Sequence, residues 1–376
     1  MRLNALRLWN FRNFAEAELY PDPHMNVLVG ANAQGKTNLL EALYYLSTLK
    51  PLRPVKESDL IRWGASEARL FARFTRDEFE DTVHIRLIAG GKRTILLNEQ
   101  PLTRQSAFVG TLMVVCFSSQ DLQIVRGEPA DRRRFLDTEL SLLSHRYLYS
   151  LAQYRRVLEQ RNNLLRAYAE GTATLESLPE WNTQLVKYGA RLCQMRRQFL
   201  ERLNFAAQNV HQALTGGNES IELTYLPGIP LPTQGYMPEK EEDWASAFAS
   251  ALREREAEEI QRGTTLVGPH RDDFLIRVGG VEARQFASQG QQRTCALSLR
   301  LSEVPLLESL REEPPIVLLD DVFSDLDPYR RARLVAFLHP RVQTFITCTD
   351  LSMFEPHVLE ASALFVVEQG RVRRDG

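Results

Sequence analysis

Cysteine is scarce in this chain. Four residues in 376, Cys116, Cys193, Cys295 and Cys348, stand far apart, without the close pairs that zinc sites and redox motifs need, and they read as reduced core thiols of a cytoplasmic protein. No apolar run approaches the roughly 18 residues of a membrane span; the longest, such as Thr111 to Phe117 and Ile316 to Leu319, are strand-sized. The opening Met1-Arg-Leu-Asn-Ala-Leu-Arg-Leu-Trp-Asn also lacks the apolar stretch of about 7 to 15 residues expected of a signal peptide. No net positive charge is present either: 46 Lys and Arg against 48 Asp and Glu give −2, so any nucleic-acid surface must be local. Lysine is rare, six against 40 arginines; the planar guanidinium suits phosphates, although compositional bias or heat adaptation explains the skew equally well. Internal repeats and low-complexity tracts are absent.

What is present is ordinary globular composition, 44% hydrophobic and 25% charged, long enough for two or three units at about 100 to 200 residues each. Up to about Leu122, short apolar runs alternate with turn signals and predict strands over 3–9, 25–29, 69–75, 82–88, 94–97 and 112–117. After Pro129 the period becomes helical. Tyr147, Leu151, Tyr154, Leu158 and Leu165 form one stripe, and Leu185, Gly189, Leu192, Phe199 and Leu203 another, with a break over 171–179. That pattern predicts an antiparallel helical hairpin, too short in heptads for an extended coiled coil. Residues 215–238 read as an irregular loop with a strand at 221–226, and 239–262 as a helix. Strands return at 274–278, 316–319, 344–347 and 363–368. The expected class is α/β, with a strand-rich domain split in sequence into 1–122 and 263–376 and with 123–262 as an inserted helical arm.

The chemistry starts at Gly30, Ala31, Asn32, Ala33, Gln34, Gly35, Lys36, Thr37 and Asn38. They fit G-x-x-x-x-G-K-[ST] between a predicted strand and a predicted helix, the context in which the motif is a phosphate loop. Glycines let the backbone wrap ATP phosphates, Lys36 reaches the β- and γ-phosphates, and the Thr37 hydroxyl binds Mg²⁺. A second element, Pro315-Ile-Val-Leu-Leu-Asp320-Asp321, describes a buried strand delivering carboxylates to its end: Asp320 for Mg²⁺, Asp321 for orienting or deprotonating water. Lys36 and Asp320 are 284 positions apart, so a large insertion interrupts the P-loop ATPase head. Between them Ser288, Gly290 and Gln291 open an apolar-striped helix, either as an anion-binding nest or as an ordinary Ser-Gly cap. Pro305 should kink or end that helix.

These elements, with Ser324-Asp325-Leu326-Asp327, resemble the ATP-binding-cassette ATPases of the chromosome-maintenance type. Leu8-Trp-Asn-Phe-Arg12-Asn-Phe, Gly127-Glu-Pro-Ala-Asp-Arg-Arg-Arg-Phe-Leu-Asp137 and Thr265-Leu-Val-Gly-Pro-His-Arg-Asp-Asp273 make the whole chain similar to the RecF family of bacterial recombination mediators. The resemblance implies an ATP-dependent homodimer in which Ser288 and Gly290 of one subunit touch the γ-phosphate held by Lys36 of the other. Asp327 would then line the same seam. It further implies binding of double-stranded and gapped DNA, cooperation with RecR and RecO, and assistance to RecA against single-strand binding protein (SSB). Weak, DNA-stimulated hydrolysis would release the clamp during repair and replication.

Other positions carry two readings each. Arg12 either approaches the nucleotide or pairs with a carboxylate. Arg53 is either the arginine that links DNA to the ATP site in relatives or an exposed loop residue. Gln120 follows a strand where cassette enzymes often carry a switch glutamine, no His follows the strand ending at Thr349-Asp350, and Asp321 is shorter than the usual Glu. All three positions bear on how fast hydrolysis runs. For DNA, residues 126–166 hold nine Arg against five acids; Arg132, Arg133, Arg134, Arg155 and Arg156 are the phosphate-contact candidates, or else solvated helix faces. Residues 239–262, with eight acids against four bases, suit a protein partner or solvent. Rival readings are a transporter's energising subunit, a nucleotide-locked protein scaffold and an ATPase partner of a nuclease; the split head, the short arm and Ser288-Gln-Gly-Gln-Gln argue against the first and last.

Overall fold

The computed structural model describes residues 1–76, 78–102, 108, 110–231 and 237–375. In chain order it forms β1 (Arg2–Phe11), β2 (Phe14–Leu19), β3 (Met25–Val29), α1 (Lys36–Thr48), β4 (Glu67–Arg76), β5 (Phe79–Ile88), β6 (Thr94–Leu97), β7 (Gln100–Pro101) and β8 (Val114–Phe117). Then come α2 (Leu122–Arg126), α3 (Pro129–Leu143), α4 (His145–Ala169), α5 (Leu178–Thr215), β9 (Ile221–Leu226), α6 (Glu241–Arg262), β10 (Asp273–Val278), β11 (Val281–Glu282) and α7 (Ala283–Phe286). The chain ends with α8 (Gln289–Leu301), α9 (Glu303–Arg311), β12 (Ile316–Leu319), α10 (Pro328–Leu338), β13 (Thr344–Cys348), α11 (Pro356–Glu360), β14 (Ser362–Glu368) and β15 (Arg371–Asp375).

Two compact units result, one of 1–122, 206–220 and 288–376, the other of 123–205 and 221–287. The first contains two six-stranded sheets, β2-β1-β4-β5-β6-β7 and β15-β14-β3-β13-β12-β8. The first sheet is antiparallel and alternates, as along β4, where Ala68, Leu70, Ala72 and Phe74 turn inward. In the second, β14, β3, β13, β12 and β8 run parallel, and β12 and β13 are buried at every position. Parallel strands covered on both faces read as unbroken apolar runs, which is why Ile316-Val-Leu-Leu319 has no alternation. Leu3, Phe14, Leu40, Tyr45, Phe74 and Phe345 belong to one buried cluster that joins both sheets to α1, each such side chain contributing about 1.5–3 kcal/mol.

Helix α8 ends at Leu301 and α9 begins at Glu303. Pro305 is the reason: it has no N–H to donate to the Leu301 carbonyl four residues earlier. All four cysteines are buried and free, and among the described residues no helix is long and apolar enough to cross a membrane.

The second unit holds the expected hairpin as α4 and α5, preceded by α3 and followed by α6. Its three-stranded sheet runs β11-β10-β9. Here the boundaries differ from the sequence reading, which gave 263–287 to the head and 206–220 to the arm. Strand β10 pairs with β9 from Asp273↔Leu226 to Val278↔Ile221, so 263–287 is drawn into the helical unit. The continuous helix α5 crosses the division, with Ala206–Thr215 counted in the first unit. The strand expected within 215–238 is β9; residues 232–236 of that loop lie outside the described residues.

Inside this unit the two arginine-bearing motifs meet. Arg196, 2% exposed, donates to Asp137 and Asp272 at 2.7 Å each, to the Pro269 carbonyl and to the Tyr147 hydroxyl. Asp272 also accepts from the Gly228 N–H at 2.7 Å and from the Tyr225 hydroxyl. A second buried pair, Arg161–Glu259 at 2.6 Å, is fully enclosed and satisfied further by Asn182 and Thr265. Buried charges persist only when paired and hydrogen-bonded in this way.

Candidate functional site

The segment that joins β3 to α1 is tightly constrained. A Cβ at Gly30 would lie 2.2 Å from the Val367 carbonyl oxygen of β14, and one at Gly35, whose φ is +120°, would strike Asn13 and Phe14 at 2.8 Å. No side chain caps the first turn of α1, which leaves that helix terminus open to an anion. The outer side of the loop is braced. Gln34 accepts at its carbonyl from Asn13 Nδ2 at 2.8 Å and from Gly370 N at 3.2 Å, and its Oε1 accepts from Gln369 N at 2.7 Å. Asn38 donates to Asn13 Oδ1 at 2.8 Å, while Ala31, Asn32 and Ala33 are exposed.

Lys36, 7% exposed, folds its ammonium onto the loop's own carbonyls, Gly30 O at 2.6 Å and Ala31 O at 2.9 Å. Burial lowers its pKa, opposed by the charges of Asp321 and Asp320. The ammonium is therefore already held at the inner wall of the loop, where a polyphosphate would replace the carbonyls as its partner.

Strand β12 ends beside β13, whose other neighbour is β3, so the carboxylates and the glycine loop emerge at the same edge of the parallel sheet, where α/β ligands bind. Thr37 donates to Asp320 Oδ1 at 2.8 Å and Oδ2 at 3.0 Å. Thr347 of β13 donates to the same Oδ1 at 2.9 Å and accepts from the Asp321 N–H at 2.8 Å. Asp321 itself, at φ 52°, is turned out and exposed. Among the described residues no cluster of three or more His, Cys, Asp or Glu forms a metal cage. A hydroxyl and one carboxylate fit Mg²⁺ bound through phosphate and water, since that ion takes few protein ligands.

Ser288 is the N-cap of α8: its Oγ accepts from Gln291 N at 3.2 Å while Gln291 Oε1 accepts from Ser288 N at 2.9 Å. Ser288 and Gly290 are exposed, and the space beside Gly290 Cα is open except for Arg330 Nη1 at 3.8 Å. Asp327 likewise caps α10, accepting from Arg330 N at 2.9 Å. Ser288 and Asp327 thus both serve as helix caps on an exposed surface.

Arg12 pairs with a carboxylate: Nε and Nη2 reach Glu41 of α1 at 2.7 and 2.9 Å, and Nη1 reaches the Asp59 carbonyl at 2.9 Å. Arg53 is exposed in an irregular loop. Gln120 is exposed in the 3-10 turn Ser119–Asp121 after β8. That turn is tied to α8 by Arg300, whose Nε lies 2.8 Å from Asp121 Oδ1. Asp325 is tied to the same helix by Arg293 at 2.9 Å. Thr347, Glu41 and Arg300 escaped sequence reasoning, as did the bracing role of Asn13 within its motif; the strand-end position of Thr347 and the motif around Asn13 were the signals on offer.

The DNA candidates divide, and one is corrected. Arg132 is buried, held by Asp273 at 2.6 and 2.9 Å and by the Gly127 carbonyl, so it has no fork left for phosphate. Arg133 donates to the Asp272 carbonyl at 2.9 Å. Arg155 reaches Asp137 at 2.9 Å but is 65% exposed, and Arg134 is 72% exposed with Asp131 at a loose 3.7 Å. Arg156 is exposed. Charge counting treated every arginine of 126–166 as surface, whereas Arg132 and Arg161 are core residues.

Comparisons with known proteins give the family and the fold. The family described as the RecF/RecN/SMC N terminal domain matches residues 2–373. The DNA replication and repair protein RecF of Synechococcus sp. (strain JA-3-3Ab) is 40% identical over 375 residues, 99% of this chain and 97% of that protein. Two solved structures of the recombination mediator protein RecF in the RecFOR pathway, RecF-ATP and RecF-ATPrS, match with TM-scores of 0.89 and 0.90 at 31% identity, covering 100% of this chain and 98% of theirs. A Smc head bound to the C-winged helix domain of ScpA matches over 100% of this chain and 97% of that one, with a TM-score of 0.56 at 16% identity, a likeness of fold.

Proposed function

The chain belongs to the RecF family and has its α/β SMC-like head, and from that premise we propose that it is an ATP-gated, DNA-binding recombination mediator. The observation that carries the nucleotide reading is the Thr37–Asp320 hydrogen bond of 2.8 Å across 283 positions. It unites the phosphate loop with the acid-ended strand.

In this reading Lys36 and the uncapped start of α1 hold the β- and γ-phosphates, and Thr37 and Asp320 hold Mg²⁺, which neutralises phosphate charge when bound. Thr347 fixes the Asp320 carboxylate. Asp321, exposed and shorter than Glu, orients water at a longer reach, in keeping with slow turnover. The exposed Ser288 and Gly290 at the start of α8 of a second subunit complete the site, giving a homodimer favoured by the differential affinity of ATP for the closed state. Arg12 acts one helical turn away, through Glu41.

Closure would bring basic surfaces onto double-stranded or gapped DNA, with Arg53, Arg134, Arg155 and Arg156 as contacts. Such a clamp works in the cytoplasm with RecR and RecO to help RecA load at SSB-coated gaps, and hydrolysis, weak and DNA-stimulated, releases it. Fluorescence anisotropy with duplex, single-stranded and gapped DNA at stated salt, each with ATP, with ADP and without nucleotide, tests the reading. Tight binding confined to ATP supports the clamp; binding indifferent to nucleotide overturns it.

A further inference from the structure

Trp63 is 99% exposed, an unusual state for the side chain that buries the most apolar surface in most proteins. Of the four tryptophans, Trp244 is buried and Trp9 and Trp181 are half-buried. The turn that carries Trp63 is not loose. Ile61 bridges to Phe11, Arg62 N donates to Asn10 O at 2.7 Å, and Ala65 N closes the turn on Arg62 O at 2.9 Å. Gly64, at φ +84° with open space around it, makes the tight reversal possible. The ring is thus presented on a rigid support, and little entropy remains to be lost when a ligand covers it.

The chain leading to this turn is basic. Arg53, Lys56 and Arg62 are exposed, and no ion pair to them is formed among the described residues. Of the two acids in this stretch, Glu57 is paired with Arg93 and also accepts from Tyr45, while Asp59 accepts from Lys56 N at 3.1 Å and keeps its charge, so three cations stand against one unpaired carboxylate. An exposed aromatic face that directly follows Arg62 in a stretch with a surplus of cations matches a nucleic acid, with phosphates meeting the cations and a base stacking on the ring. In the interior of a duplex both faces of a base are already covered, so away from duplex ends an unpaired nucleotide offers the free face.

We propose that Trp63 is a stacking platform for an unpaired base at the edge of a DNA duplex. The proposal rests on the DNA-binding reading above and deepens it by specifying which part of a gapped substrate the head recognises. The same turn is also linked to the phosphate loop. Arg12 N donates to Leu60 O at 2.7 Å, Arg12 Nη1 donates to Asp59 O, and the adjacent Asn13 donates to Gln34 O at 2.8 Å. A base seated on Trp63 therefore bears on residues 10–13, which brace the ATP site.

The test compares Trp63→Ala and Trp63→Phe with the unaltered full chain, with ATP present, on closed circular duplex, which has no ends and stands as the blunt control, and on the same circle carrying a gap opposite unpaired thymidines. Since the side chain is exposed, neither substitution should disturb folding, and melting temperature checks this. Trp63→Ala should lose affinity for the substrate with unpaired bases by about 10-fold and Trp63→Phe by much less, while blunt duplex changes less than about 2-fold. Tryptophan emission should fall on addition of oligothymidine and should not fall in Trp63→Phe. Equal affinity of Trp63→Ala and the parent for both DNAs overturns the platform, and an equal loss for both reassigns Trp63 to general duplex contact. If the parent binds neither DNA with ATP, the underlying reading fails instead, whatever the variants do.

Discussion

Arg300 holds Asp121 through both Nε and Nη2 at 2.8 Å, in a pair only 14% and 10% exposed. The helix that begins at Ser288 is thereby locked to the turn that presents Gln120. Asp121 Oδ2 in turn caps the strand end, accepting from Ser118 N at 2.7 Å. Arg300→Met should retain ATP binding yet weaken ATP-dependent dimerisation by about 10-fold, because the start of α8 and the turn after β8 no longer move together. Breaking a largely buried pair should also cost about 3 kcal/mol of stability. Sedimentation velocity with and without ATP, beside a urea melt, checks both parts.

Lys36→Met removes the ammonium that now rests on Gly30 O and Ala31 O. ATP binding should fall below detection in a fluorescent-nucleotide titration, with melting temperature nearly unchanged. Ser288→Arg should bind ATP normally and stay monomeric with it. Loss of the cap should cost about 1 kcal/mol, too little to unfold the head. Dimerisation by Ser288→Arg equal to that of the parent would overturn the trans role given to this helix start.

Thr347→Val keeps the size of the side chain and deletes the hydroxyl that donates to Asp320 and accepts from Asp321 N. ATP hydrolysis should drop several-fold while nucleotide affinity changes little, with a stability loss of about 1–2 kcal/mol from the orphaned N–H. A steady-state phosphate-release assay beside a binding titration distinguishes this from general damage.

Arg132→Ala and Arg134→Ala should separate stability from DNA binding. The first leaves Asp273 without its partner and should lower stability by about 3 kcal/mol. The second removes an exposed cation and should reduce the slope of log affinity against log salt by about one. Urea melts and salt-dependent anisotropy on both variants give the answer.

Stability should fall as the solution is acidified from about pH 6.5 toward 4. Burial, reinforced by nearby arginines, lowers the pKa of His211 and of His270 to about 4. Both are neutral in the fold, whereas in the unfolded chain they take up protons below the ordinary imidazole pKa, so the unfolded state binds more protons throughout that window. Each should contribute roughly 2–3 kcal/mol of pH dependence. Urea melts at pH 7.5 and 5 on the parent and on His211→Gln and His270→Gln measure it; each variant should flatten the dependence.

Local pattern was enough for the parts that depend on near neighbours. The phosphate loop, the acid-ended strand, the hairpin stripes and the break before Pro305 are all set by spacing within a few residues, where backbone geometry and periodicity act directly. Tertiary structure alone decided the rest. Thr347 serves Asp320 because β13 lies beside β12; Arg132 and Arg161 are core residues because Asp273 and Glu259 arrive from distant segments; 263–287 leaves the head because β10 finds β9. Each outcome turns on which partner satisfies a buried polar group, and a charge or hydroxyl carries no local mark of whether water or another side chain will do so.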